Sequence, residues 1–83
     1  MFLHLGVDVI VPLKSVIGIF DVKITKSKNT ESYLNDLRKS KKLEIIDVSE
    51  SEPKSFIVTE KAVYFSTISS MTLKKRSAFL AAQ

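Results

Sequence analysis

Residues 54–76 read KSFIVTEKAVYFSTISSMTLKKR. Two β-type runs, KSFIVT and AVYFSTI, flank Glu60 and Lys61. Runs rich in β-branched and aromatic residues with a two-residue gap predict a hairpin, although the Gly or Asn common at such a turn is missing. After Ser69 or Ser70 the pattern changes. A small polar residue followed by Leu73, Ser77 and Leu80 on one wheel face predicts a capped final helix. Lys74, Lys75 and Arg76 step around the rest of that wheel. On one subunit they read as a wet face rather than a compact stripe. Gathered from several subunits, the same charges would form a basic belt.

Upstream, FLHLGVDVIV (residues 2–11) alternates. Leu3, Leu5, Val7, Val9 and Val11 fall on one side, which is the period of a strand. Gly6 and Asp8 predict a bulge or bend that splits it, and Pro12 closes it. SVIGIFDV (residues 15–22) is a further β run whose Gly18 marks a close backbone approach or a bulge. KITKSKNT (residues 23–30) reads as a basic loop. A helix capped by Asn29 or Thr30 is expected to run to about Lys42, with Tyr33, Leu34 and Leu37 on one face. Glu31 in its first turn and Arg38, Lys39, Lys41 and Lys42 in its last turns suit the helix macrodipole. LEIIDV (residues 43–48) is another β run, and SESEP (residues 49–53) an acidic loop. The expected architecture is therefore α+β: a small six-stranded antiparallel β-rich domain with two helices, in the order β-β-β-α-β-β-β-α. Residues 1–83 form a single domain.

The chain has 83 residues, 45% of them hydrophobic, with thirteen Lys and Arg against nine Asp and Glu. So short a chain buries little of its surface and usually needs extra support. Cysteine is absent, which removes disulfides and cysteine-based zinc sites. His4, the single histidine, cannot form a metal site alone. Self-association is the remaining support. The net charge of +4 favours acidic partners, nucleic acid among them. Eleven of the thirteen cations are Lys, which attracts phosphate diffusely rather than reading base edges. The apolar N-terminus lacks a basic start and is interrupted by Asp8, Pro12 and Lys14, so neither a leader nor a spanning helix is expected. A soluble cytoplasmic protein is the expectation.

Catalysis needs a nucleophile, an acid or base, and a group that holds them. Asp8, Asp21 and Asp47 stand singly at strand ends, and no serine lies in a nucleophile motif. No enzyme activity, cofactor, metal or small-molecule substrate is expected.

Several segments carry more than a pattern. HLG near the start, VIGIFD, PKS before a β run, and SSMTLKKR at the last helix agree in order and spacing with one group of proteins. The chain resembles the small bacterial Rem family of extracellular matrix gene regulators, with the nearest match to its RemB branch. The resemblance covers about two thirds of the chain, its two ends. It implies a β-rich subunit with two helices, assembled into a closed ring with DNA around the outside. It also implies activation of biofilm matrix genes. The RemA branch carries a short arginine-rich loop where this chain reads SESEPKS: Ser51 and Glu52 stand where paired arginines would be, and Lys54 keeps a charge. Another arginine of that branch falls at Ser15, beside Lys14. The candidate DNA-binding residues are Lys14, Lys54, Lys74, Lys75 and Arg76. Two functions stay open: a ring-forming DNA-binding regulator, and an assembly or interaction module of the same pathway that does not touch DNA.

Overall fold

The computed structural model describes residues 1–23, 35–36 and 43–82. The helix expected from about residue 30 to 42, with its cluster of terminal cations, lies outside these residues, save Asn35 and Asp36, which are helical.

Strands β1 (Phe2–Gly6) and β2 (Val9–Pro12) form an antiparallel two-stranded sheet. A 3-10 turn, Leu13–Ser15, follows. Strands β3 (Val16–Asp21), β4 (Glu44–Asp47), β5 (Ser55–Thr59) and β6 (Ala62–Ser66) make a second sheet in the order β3-β5-β6-β4. Helix α1 (Ser70–Ala81) ends the described chain. The result is a sheet-rich α+β domain.

The expected antiparallel arrangement is corrected at one pair. The strands form two sheets, and in the larger one β4 pairs with β6 in parallel. The link between β4 and β5 is the cause. Residues 48–54 pass over the end of β6, where Val48 N–H donates to Phe65 O at 2.9 Å and Lys54 N–H donates to Ser66 O at 2.8 Å. The chain thereby skips one strand position, about 10 Å of sheet. β4 thus runs opposite to β5 yet lies beside β6, pointing the same way.

Alternation decides the two faces of the larger sheet. Ile19 and Ile57 point to one side, where they join Leu3, Leu5, Val11, Val48 and Leu73 in a buried cluster. Phe56, Val58, Val63 and Phe65 form a second cluster with the partly buried Val22, Leu43 and Ile45. Every residue of β5 is buried, which is why SFIVT reads as a continuous run rather than an alternating one. The smaller sheet and α1 cover the first face. Leu73 is fully buried there, and Leu80 packs against the same cluster.

Both strand glycines have a local reason. Gly6 adopts φ 117°, a backbone region that L side chains rarely enter. At Gly18, where the β3–β5 register shifts, a Cβ atom would stand 2.6 Å from the Phe20 ring. The 60–61 turn lacks Gly because Thr59 closes it. Its Oγ1 donates to Ala62 O at 2.8 Å and accepts from Ala62 N–H at 3.0 Å.

The turn between β1 and β2 has a different character. Val7 sits there at φ 49°, although it is β-branched. Its side chain is 67% exposed, so it leaves the apolar face predicted for it by simple alternation. The turn at Val7 and Asp8 breaks the alternation. Val11 is buried and Val9 joins the core from the partner strand.

Candidate nucleic-acid interface

The final helix begins as its sequence demands. Ser69 is the N-cap: its Oγ accepts from Thr72 N–H at 3.2 Å and donates to Thr72 Oγ1 at 2.9 Å. Ser55 Oγ donates to Ile68 O at 2.7 Å, which ties the chain just before the helix to β5. Leu73 and Leu80 face the core, and Ser77 is half-buried between them. With about 100° per residue, this anchoring leaves Lys74, Lys75 and Arg76 exposed.

These three cations do not complement the helix dipole. The last turn of α1 holds no basic residue, and its first turn holds no acidic one. Dipole stabilisation fades beyond the terminal turn. The triplet at mid-helix therefore gains little from the dipole and stands in solvent.

The five expected positions fall in three places. Lys14 lies in the 3-10 turn and lines a hollow with Lys61, Glu60 and Tyr64. The β3–β5 register makes this neighbourhood, because Val16 pairs with Thr59. Lys54 lies at the other end of β5, roughly 17 Å away along a five-residue strand. It lines a hollow with Lys23, Asp21 and Glu52. Lys75 and Arg76 line a third hollow, between α1 and β1, together with Phe2, His4 and Phe79. Lys74 lies on the outer side, lining a shallow surface with Met71, Lys75 and Ala78. One subunit thus brings Lys74, Lys75 and Arg76 together but leaves Lys14 and Lys54 apart from them and from each other.

Charge balance separates the three places. Glu60 accompanies Lys14, and both Asp21 and Glu52 accompany Lys54. The hollows lined by Lys74, Lys75 and Arg76 contain no carboxylate. The sequence reading did not place Lys61, Lys23, Phe2, His4 or Phe79 beside these cations. No local signal marks them; strand pairing and helix docking alone bring them to these cations.

The loop at residues 49–53 is placed by the same crossing that makes β4 parallel. Ser51 and Glu52 are exposed. Glu50 and Glu52 line a hollow with Asp47 at the end of β4. Asp47, Glu50 and Glu52 therefore present an acidic surface at the end of β4.

Among the described residues no group of three or more His, Cys, Asp or Glu is arranged to hold a metal ion. Among the same residues, no helix is long and apolar enough to cross a membrane.

Comparison with known proteins agrees with the resemblance at the chain's two ends and extends it through the middle. The chain matches the family model described as RemA-like, extracellular matrix regulatory protein A-like, over residues 2–77. It is 39% identical over 80 residues to the extracellular matrix regulatory protein B of Bacillus subtilis (strain 168). That alignment covers 96% of this chain and 94% of the relative. With a match over nearly its full length, the chain belongs to the RemA-like family.

Proposed function

We propose that this protein regulates extracellular matrix gene expression by binding DNA non-enzymatically as a ring-like homo-oligomer. The observation that carries the reading is the exposed Lys74, Lys75 and Arg76 on α1, without a carboxylate in the hollows they line. A positive surface with no internal counter-charge attracts phosphate over a Debye length. Repetition of the triplet around a ring would join separate patches into one belt. The net charge of +4 and the printed name of the relative agree with this reading. Exposed Ile10 and Ile17 on so small a chain support self-association.

The test is binding to random duplex DNA across a salt series, with oligomer mass measured in the same buffers. Each phosphate contact contributes a slope of about −0.9 in log affinity against log salt. Lys74→Glu/Lys75→Glu is expected to abolish binding while the thermal melt stays unchanged. Unchanged DNA affinity in that variant would remove the assignment.

A second reading has its own support. The acidic surface of Asp47, Glu50 and Glu52 opposes phosphate at the loop where the resemblance led to arginines. An assembly module that binds a protein rather than DNA fits that surface. An oligomer that ignores duplex DNA at low salt, together with a co-purified protein partner, would favour it.

A further inference from the structure

The groove between β1 and α1 has a composition that duplex phosphate contacts do not require. It is a hollow of about 530 Å³ whose walls are mostly apolar. Phe2 stands on the β1 side and Phe79 on the α1 side, with 59% and 66% of their surfaces exposed. Lys75 and Arg76 occupy the same wall as Phe79, about one turn away along the helix. His4 projects from the outer face of β1, where its Nε2 donates to Val7 O at 2.9 Å.

A base offers two flat apolar faces and a backbone phosphate on its edge. Single strands are held by that pairing: aromatic rings for the bases and cations for the phosphates. In a duplex the bases are stacked on each other, so a phenylalanine meets a base face only by unstacking a step, which costs energy that an unpaired strand does not require. A protein surface would be expected to bring acids for these cations, but core positions of protein interfaces are depleted of Lys. The groove contains two cations, two open rings and no acid.

We propose that the groove lined by Phe2, Phe79, Lys75 and Arg76 binds single-stranded nucleic acid, with unpaired bases on the rings and phosphates on the cations. The inference rests on the reading of the α1 triplet as a nucleic-acid contact, and names the form of the ligand at that site. An unpaired stretch within or beside a bound duplex is the natural occupant, because Lys75 serves both surfaces of the helix.

The test compares a labelled oligothymidylate of roughly a dozen nucleotides with a labelled duplex of the same length, by fluorescence anisotropy on the full chain. Phe2→Leu/Phe79→Leu keeps the apolar volume and removes the rings. In this variant the affinity for oligothymidylate should fall roughly tenfold or more, while that for the duplex changes less than about twofold. Lys75→Gln/Arg76→Gln should weaken both. Wild-type protein that binds the duplex but not oligothymidylate overturns this proposal and leaves the regulator reading standing. Wild-type protein that binds only oligothymidylate supports the groove and ends the duplex reading. Equal affinity in the leucine variant overturns stacking. A drop in oligomer mass in Phe2→Ala/Phe79→Ala, without loss of oligothymidylate binding, assigns the groove to a second copy of the chain instead.

Discussion

Ser66 Oγ donates to the carbonyl of Leu5, 61 residues earlier in the chain. Both residues are fully buried, and the same Oγ accepts from Ile68 N–H at 3.1 Å. One hydroxyl therefore joins the smaller sheet, the end of β6 and the approach to α1. Position 66 thus ties the smaller sheet to the segment that leads into the helix capped by Ser69.

Ser66→Ala should leave the buried Leu5 carbonyl and the partly buried Ile68 amide without that partner. The expected loss is about 1–3 kcal/mol. A thermal or urea melt checks it. A loss well under 1 kcal/mol would mean that water replaces the hydroxyl or the segment relaxes.

Neighbouring residues of the first turn should respond with opposite signs. Val7 holds φ 49° with an exposed side chain, so Val7→Gly removes strain and little packing. A left-handed conformation costs an L residue roughly 1–2 kcal/mol, against a Gly entropy cost of about 0.5–1 kcal/mol. Val7→Gly should stabilise by about 0.5–1 kcal/mol. Gly6→Ala, at φ 117°, should destabilise by at least about 1 kcal/mol even though its Cβ would find Val48 Cγ1 at an ordinary 3.5 Å. Denaturant midpoints of the two variants, read side by side, test the pair.

Gly18→Ala should displace the Phe20 ring, which stacks on Phe56 at 5.1 Å between centroids. The ring is 37% exposed, so it can swing away rather than force the backbone apart. The cost is then about that of the lost ring pair, roughly 0.5–1.5 kcal/mol. A melt reports the loss, and the near-ultraviolet signal of the phenylalanines should change with it. A much larger loss would show that the β3–β5 register itself moves.

Ser51→Arg/Glu52→Arg tests the proposed DNA reading from the opposite direction to charge removal. Both residues are exposed, so the fold should tolerate the change. If this loop approaches phosphate in the ring, duplex affinity should rise, and the salt slope should steepen by roughly two contacts, about −0.9 each. Unchanged slope would place the loop away from DNA, and would favour its use as an acidic protein-binding surface.

Much of the local structure was legible in the chain. Alternation marked β1 and β2, and runs of β-branched and aromatic residues marked the other strands, because both patterns follow from the pleat and its burial. Ser69 marked the start of α1 because its hydroxyl satisfies a helix amide from within one turn. Leu73 and Leu80 marked the buried face. The wet face with Lys74, Lys75 and Arg76 followed from the same wheel.

The sequence by itself determined which segments are strands, where the last helix is capped, and that its cations face away from the core. These depend on contacts between near neighbours, whose geometry the backbone dictates. Only the tertiary structure decided that β4 runs parallel beside β6, since a link of seven residues can either turn back or step over a strand. It alone set Lys61 beside Lys14, and Phe2 and His4 beside Lys75 and Arg76. Those neighbours are dozens of residues apart, and the burial of Leu3, Leu5, Ile57 and Leu73 in one shared cluster is what brings them together.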